Sequence, residues 1–252
     1  METIKKLIDE SDLAIELVDA RFVEAARLKD IEKYIKEQGK KFLLVINKID
    51  LISKKCLKKI EVKLRKHTID FSFISIKNRK GIAKLRKKIK QILKADGKKK
   101  CCIFGLPNTG KSSLINLLRG KHVARTSIKP GFTRGYQYVR LTKKILLIDT
   151  PGIFVPKLKE ELLVFLNAKD LDKVVDIEAS AFFILNKLKE RYEGMIRELY
   201  GFNIDENFFI NLAKKFNYYA KENQLDLDRA YKKFLRDWYE GKIKVCFLEN
   251  VD

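Results

Sequence analysis

Apolar runs and amphipathic segments alternate along the first part of the chain. Runs with the length of buried strands occur at 13–18, 41–46, 70–74, 101–104 and 144–148. Apolar side chains recur at three- and four-residue steps, as in helices, over 24–37, 53–66 and 81–94. Strands that alternate with helices indicate an α/β fold with a mainly parallel sheet.

From about residue 157 the strand signals largely vanish, and amphipathic helices are predicted at 160–165, 177–188, 206–216 and 228–239. Asp228 is a predicted helix N-cap, and the residues after it form an aromatic stripe that is expected to be core rather than a base-stacking surface. Its members are Ala230, Tyr231, Phe234, Leu235 and Trp238. We therefore predict two domains, an α/β domain over residues 1–156 and a small all-α domain over residues 157–252.

The segment GLPNTGKS, from Gly105 to Ser112, fits the phosphate-binding pattern G-x-x-x-x-G-K-[ST]. A strand is predicted before it and a helix after it, which is the context that this loop requires. Glycines let backbone N–H groups turn toward phosphates, Lys111 neutralises the terminal phosphates, and the Ser112 hydroxyl binds magnesium. The predicted phosphate-binding residues are Asn108, Thr109, Gly110, Lys111, Ser112 and Ser113.

Two segments after this loop are candidates for the magnesium site and the terminal phosphate. The strand at 144–148 runs into Asp149-Thr150-Pro151-Gly152, and an acidic residue at a strand end near the loop serine holds magnesium in nucleotide hydrolases. Gly152 would place a backbone N–H against the terminal phosphate. Thr133, in the turn Pro130-Gly131-Phe132-Thr133, is predicted to supply a second hydroxyl to magnesium as part of a switch.

A guanine-reading motif comes before the phosphate loop. Asn47-Lys48-Ile49-Asp50 follows the strand at 41–46, and the Asp50 carboxylate, which only accepts hydrogen bonds, matches the ring N–H and amino group of guanine. Ser75-Ile76-Lys77 follows the next strand, where a backbone N–H is expected to meet the guanine carbonyl. Both motifs lie at carboxyl ends of strands, where ligands bind in open α/β sheets. In an ordinary small GTPase the phosphate loop comes first, so the motif order here is rotated.

The motifs NKID, SIK, GLPNTGKS, PGFT and DTPG, in this order, resemble the circularly permuted GTPases of the YlqF/YawG (RbgA-like) family. Asp19-Ala20-Arg21 and the tail segments Asp228-Arg229-Ala230 and Phe234-Leu235-Arg236-Asp237 also match its pattern, so the resemblance covers nearly the whole chain. The resemblance implies GTP/GDP and Mg²⁺ as ligands, a candidate K⁺ site at Asn108, and GTP-dependent binding to ribosomal RNA during assembly of the large ribosomal subunit.

The residue that positions the attacking water is not identified by the resemblance. Ile153 stands where Ras-like proteins have the glutamine that orients this water, and isoleucine cannot do so. Bacterial members carry an amino-terminal Phe-Pro-Gly-His-Met stretch with a histidine tied to catalysis, whereas this chain opens Met1-Glu2-Thr3-Ile4-Lys5. His122 is the remaining weak candidate. We expect slow hydrolysis by the chain alone and faster hydrolysis on the ribosomal particle.

The net charge of +22 is concentrated in the first domain. Residues 1–156 hold 38 Lys and Arg against 15 Asp and Glu, while residues 157–252 hold 17 against 18. Two predicted helices place apolar residues toward the sheet and lysines outward. A surface with so dense an excess of positive charge attracts polyanions. The predicted RNA-binding residues are Lys54, Lys55, Lys58, Lys59, Lys84, Lys87 and Lys88. No DNA specificity is expected.

The remaining composition indicates a cytoplasmic protein without a membrane span. No run of 18 apolar residues exists, and the four cysteines have no zinc spacing and fit a reducing compartment. Adjacent Cys101 and Cys102 are interpreted as small hydrophobic residues of a buried strand. The predicted function is a GTP-hydrolysing switch for large-subunit assembly. The alternative is a nucleotide-gated RNA-binding module or RNA chaperone in which hydrolysis is incidental.

Overall fold

The computed structural model describes residues 2–94, 97–119, 137–149 and 158–249. The chain divides into two compact units, the first comprising Met1–Val155 with Cys246–Asp252 and the second Pro156–Val245. The sequence had placed everything after residue 156 in the helical domain, whereas the chain returns to the first unit at Cys246. The helices of the described residues are all too short or too polar to cross a membrane.

A six-stranded sheet forms the first unit, and its strand order is β3-β2-β1-β4-β6-β5. All neighbouring pairs are parallel except β5 and β6. The strands are β1 Leu13–Asp19, β2 Lys41–Asn47, β3 Phe71–Phe73, β4 Lys99–Phe104, β5 Gln137–Arg140 and β6 Ile145–Asp149. The five predicted strands are confirmed. The sequence missed β5 because its four residues, Gln-Tyr-Val-Arg, contain no continuous apolar run.

Six helices accompany the sheet in the described part of the first unit: α1 Glu2–Asp9, α2 Val23–Ala26, α3 Lys29–Glu37, α4 Lys54–Lys66, α5 Ile82–Leu93 and α6 Lys111–Arg119. The single helix predicted over 24–37 is wrong, since the backbone breaks at Arg27 and Leu28. The Leu28 N–H donates to the buried Glu16 carboxylate at 2.7 Å, and Arg27 pairs with Glu32. These contacts favour two helices over one continuous helix.

The sheet is covered on both faces, as a mainly parallel sheet requires. Leu13, Ile15 and Leu17 of β1 share one core cluster with apolar residues of α5 and α6, while Ala14 belongs to a second cluster with residues of α1 and α3. Alternate residues of a strand point to opposite faces. Cys101 and Cys102 follow this rule: each is buried, one in each cluster. Their interpretation as small core residues is confirmed.

The second unit is helical and consists of α7 Glu160–Phe165, α8 Ile177–Tyr200, α9 Phe208–Lys215 and α10 Leu227–Glu240, joined by turns. Helix α8 is longer than predicted. The cap of α10 is Asp226, whose carboxylate accepts from the Arg229 N–H, so the prediction of Asp228 was wrong. The aromatic stripe of α10 is buried as predicted, and the Trp238 indole donates to the Phe165 carbonyl at 3.0 Å.

The residues from Cys246 onward belong to the first unit and pack against it. The Phe247 N–H donates to the Arg21 carbonyl at 2.8 Å, and the Phe247 ring stacks on Phe22. Cys246 forms a disulfide with Cys56 of α4. The sequence analysis, which expected a reducing compartment, did not predict this pairing, because residues 190 positions apart carry no local signal of contact. We call residues 246–249 the C-terminal strap.

Candidate nucleotide site

The predicted phosphate loop lies between the end of β4 and the start of α6. Gly105 has φ +142°, and a Cβ atom there would lie 2.3 Å from the Leu17 carbonyl oxygen of β1. Gly110 has φ +100°, and a Cβ there would lie 2.8 Å from the Asn47 amide nitrogen. Glycine is therefore needed at both ends of the loop. The loop leads directly into the amino terminus of α6, where backbone N–H groups and the helix dipole favour an anion.

Backbone carbonyls of the loop hold the Lys111 side chain. Lys111 is buried, and its ammonium donates to the carbonyls of Gly105 at 3.1 Å and Leu106 at 2.8 Å. The Thr109 hydroxyl donates to the same Leu106 carbonyl at 2.9 Å. Ser112 and Ser113 are exposed in the first turn of α6. A cation and two hydroxyls thus lie at the mouth of the loop, as phosphate and Mg²⁺ binding require.

The guanine motif is joined to this loop by Asn47. Its side chain is buried at the carboxyl end of β2, and its amide nitrogen donates to the Thr109 carbonyl at 2.8 Å. Its amide oxygen accepts from the Ile76 N–H at 3.1 Å. One side chain therefore connects the three segments that the sequence assigned to nucleotide binding.

Asp50 is held by the segment that follows β3. The buried Ser75 hydroxyl donates to the Asp50 carboxylate at 2.5 Å and accepts from the Asn78 N–H at 3.1 Å. These bonds fix the carboxylate while Asp50 stays partly exposed. The Ile76 N–H is engaged by Asn47, whereas the Lys77 N–H has no hydrogen bond to any described residue. Of the two, Lys77 has the backbone group suited to meet a guanine carbonyl.

A buried ion network lies beneath Lys48, and sequence reasoning missed it except as a match to the family pattern. Asp19 ends β1 beside Asn47 of β2, and its carboxylate binds Arg21 at 2.8 Å and Lys48 at 2.9 Å. Although burial raises the pKa of Asp19, Arg21 and Lys48 lower it to about 2. Lys48 has φ +63°, so its backbone conformation is strained and this pair helps to retain it. An acidic residue at the end of a strand adjacent to the motif is the signal that could have identified it.

The backbone geometry fits the predicted magnesium ligands in part. Asp149 is the last residue of β6 and pairs with Ile103 of β4, two positions before Gly105. Its backbone therefore lies at the sheet edge that carries the loop and Ser112, and a carboxylate with a hydroxyl is a donor set that suits Mg²⁺. Asn108, the candidate K⁺ ligand, has φ +58° within the loop. Thr133, Gly152, Ile153 and His122 lie outside the described residues.

The predicted RNA-binding lysines fall into two groups with different surroundings. Lys54, Lys55, Lys58 and Lys59 are exposed on α4, and Lys84 and Lys87 are exposed on α5. Lys88 is partly buried, pairs with Asp70 at 2.8 Å and donates to the Phe71 carbonyl at 2.9 Å. It therefore stabilises the packing of α5 on β3, and its role as an RNA ligand is the least supported of the seven.

A family model described as "50S ribosome-binding GTPase" matches residues 100–215. The chain is 39% identical over 245 residues to an uncharacterised GTP-binding protein of Methanocaldococcus jannaschii, covering 95% of this chain and 65% of that protein. It is 35% identical over 247 residues to nucleolar GTP-binding protein 2 of Pneumocystis carinii, covering 94% and 51%. The chain thus spans between about half and two thirds of the length of these curated relatives.

The same fold occurs in a solved protein. The structure of GNP-bound YlqF from T. maritima has a TM-score of 0.69 and 24% identity, with 99% of this chain and 97% of that chain covered. The GDP-bound YlqF structure gives the same TM-score at 23% identity. The similarity covers both compact units of this chain. The chain therefore has the fold of YlqF, and its sequence is similar to those of GTP-binding proteins and, over residues 100–215, to the family model of 50S ribosome-binding GTPases.

Proposed function

We propose that this chain binds GTP and GDP and hydrolyses GTP as a switch. The observation that carries the proposal is Asn47, which bridges the phosphate loop at Thr109 and the segment after β3 at Ile76. Guanine recognition by Asp50 and phosphate recognition by Lys111 thereby belong to one rigid site. Asp50 accepts hydrogen bonds only, so it selects guanine over adenine.

Magnesium fits beside the loop, with Ser112, Asp149 and Thr133 as the proposed ligands. Bound Mg²⁺ would neutralise charge on the β- and γ-phosphate oxygens. The chain's own contribution would be to bind and orient the nucleotide: Lys111 would neutralise the terminal phosphates, and Gly152 would supply an N–H. Asn108 is proposed as a K⁺ ligand. Because Ile153 cannot orient water, the catalytic group is unassigned and the unassisted reaction is expected to be slow.

The proposed partner is the large ribosomal subunit, through its ribosomal RNA. The family model is described as ribosome-binding, and the excess of Lys and Arg in residues 1–156 favours a polyanion. In this proposal residues 1–156 form the GTPase domain, while residues 157–252 form the helical ribosome-binding domain except for the C-terminal strap. We propose the cytoplasm as its location.

Nucleotide competition tests guanine recognition. Labelled GDP is displaced by GTP, ATP and XTP from the wild type and from Asp50→Asn. We expect the wild type to prefer GTP and Asp50→Asn to prefer XTP, because an amide presents a donor to the base where the carboxylate presents an acceptor. Glu206→Gln, an exposed acidic residue of the helical unit, is the control. Unchanged GTP affinity in Asp50→Asn would refute the assignment.

Turnover separates the switch from its alternative, a nucleotide-gated RNA-binding module. GTP hydrolysis is measured with and without large subunits, in potassium and in sodium. A switch is expected to be accelerated by the subunit, and by potassium if Asn108 binds this ion. A rate that stays at the unassisted level while the subunit is bound would favour the alternative.

A further inference from the structure

An open groove lies between the C-terminal strap and α4 on the first unit. Its volume is about 400 Å³, near the lower end of the range for ligand sites. Six residues of α4 and one of the strap line it: Lys55, Lys58, Lys59, Val62, Lys63, Lys66 and Leu248. The exposed surface of the groove is almost entirely apolar, formed by Val62, Leu248 and the methylene chains of the lysines. The ammonium groups stand at its rim.

The strap is fixed as a wall of this groove by two contacts with α4. Cys246 is bonded to Cys56, and the Lys63 ammonium donates to the Leu248 carbonyl at 2.7 Å. Lys63 also approaches Glu24, at 3.8 Å. Lys63 therefore has a structural role, and its charge is partly neutralised within the unit.

The other lysines of the groove differ from Lys63. Lys55, Lys58, Lys59 and Lys66 are exposed and have no ion pair or hydrogen bond with any residue that the structure describes. They extend over twelve residues of α4, from Lys55 to Lys66, a rise of about 16 Å along the helix axis. This is a line of unneutralised positive charge beside an apolar wall. Val62 within the wall is 50% exposed, so its side chain is accessible to a ligand in the groove.

We propose that this groove binds a single-stranded segment of RNA, with base faces on Val62 and Leu248 and phosphates on the lysines of the rim. The inference rests on the proposed function, since it specifies where and in which form RNA is bound. In a duplex the base faces are stacked inside, whereas an unpaired strand exposes them to an apolar surface. A line of lysines matches a polymer with a phosphate at every residue.

An acidic protein segment is the competing occupant and is less well matched. An extended peptide would turn its backbone N–H and C=O groups toward a wall with almost no polar atoms. Leaving such groups without partners is costly. The flat face of a base has no hydrogen-bonding group to satisfy, because the donors and acceptors of a base lie at its edges.

The test measures the affinity of the full chain for fluorescent twelve-nucleotide oligouridine and for a twelve-base-pair RNA duplex, between 50 and 200 mM salt. Val62→Glu removes apolar wall and adds a negative charge, and its matched control is Val175→Glu, at a valine that is 87% exposed in the second unit. Lys58→Gln/Lys59→Gln is compared with Lys84→Gln/Lys87→Gln, which removes the same charge from α5. Circular dichroism and GDP affinity verify the fold of each variant.

We expect Val62→Glu to weaken oligouridine binding about 10-fold or more, because it removes an apolar contact and places a carboxylate beside the phosphates, and to weaken duplex binding less. Lys58→Gln/Lys59→Gln should lower the salt slope for oligouridine by about 1.4, which is more than Lys84→Gln/Lys87→Gln lowers it, while Val175→Glu leaves the slope nearly unchanged. Oligouridine containing 4-thiouridine should crosslink to residues 54–66 or 246–249.

Two results would overturn the inference in distinguishable ways. If Val62→Glu has no effect and the α4 and α5 pairs weaken binding equally, RNA is bound over a broad basic surface and only the groove is refuted. If the wild type binds neither RNA at 50 mM salt, the proposed RNA binding fails as well. Competition by an acidic leucine-containing peptide, lost only in Val62→Glu, would assign the groove to a protein partner instead.

Discussion

Asn47 and Thr109 are 62 positions apart in the chain, and the side-chain amide of Asn47 donates to the main-chain carbonyl of Thr109 at 2.8 Å. The bond is buried, and it connects the end of β2 to the loop after β4 across the intervening strand β1. The base-recognition segment therefore cannot shift without disturbing the phosphate loop.

Asn47→Ala should weaken GDP and GTP binding together. The Thr109 carbonyl and the Ile76 N–H would both lose a buried partner, at a cost of about 1–3 kcal/mol, which is about 5- to 150-fold in affinity if the whole loss is expressed in binding. Titration with labelled GDP measures it, and Asn186→Ala on the exposed face of α8 is the control. Equal affinities of variant and wild type would contradict the bridging role.

Ser75→Ala should reduce the selectivity for guanine more than it reduces phosphate binding. The hydroxyl orients the Asp50 carboxylate at 2.5 Å, and a hydrogen bond to a charged group contributes about 1.5–3 kcal/mol. We expect the GTP-over-ATP preference to fall by about 10-fold or more. Ser75→Thr, which keeps the hydroxyl, serves as the conservative control. The result would be contradicted if alanine and threonine gave the same preference as serine.

Asp19 should make the fold sensitive to acid. Its folded pKa is about 2, below the ordinary value of 3.8, so its contribution is complete above about pH 4 and is lost as the pH falls toward 2. This difference between the two pKa values corresponds to about 2 kcal/mol of unfolding free energy. Asp19→Asn should be less stable at pH 7, because Arg21 and Lys48 lose their buried partner, and its unfolding free energy should change less between pH 5 and pH 2.

Denaturant unfolding at a series of pH values measures this difference. Asp30→Asn, at an exposed position in the first turn of α3, should follow the wild-type pH profile. An Asp19→Asn profile with the same acid slope as the wild type would contradict the assignment of the low pKa to Asp19.

Titration of free thiols tests the disulfide between Cys56 and Cys246. Denatured but unreduced protein should show two free thiols, from Cys101 and Cys102, and four after reduction. Cys246→Ser should lower the free energy of unfolding by about 2–5 kcal/mol without reductant. Reductant should lower the unfolding free energy of the wild type to that of the variant. Reductant should leave Cys246→Ser itself unchanged. Four thiols in the unreduced wild type would contradict the pairing.

The fold and the site could be predicted from the sequence wherever the residues that determine them are neighbours in the chain. The strands around Asn47 and Lys111 are continuous apolar runs, and the loop glycines are imposed by backbone conformation, so both were predictable. The Asp19 network could be predicted in this way only for its local partner Arg21, because Lys48 comes from another segment and meets Asp19 only when β1 and β2 pair in register. The contact of Cys246 with Cys56 has the same origin, since the position of the strap depends on the whole fold.

The C-terminal strap also affects the order in which the protein can be completed during synthesis. Strand β1 and the turn at Arg21 and Phe22 are made first, yet Phe247 packs on that turn and Cys246 bonds to α4. Since domains emerge from the amino terminus, the nascent first unit must wait for the entire helical unit before these contacts form. A chain interrupted before residue 246 would therefore lack the ring that stacks on Phe22 and keep Cys56 a free thiol, so its first unit would be more open to aggregation and proteolysis.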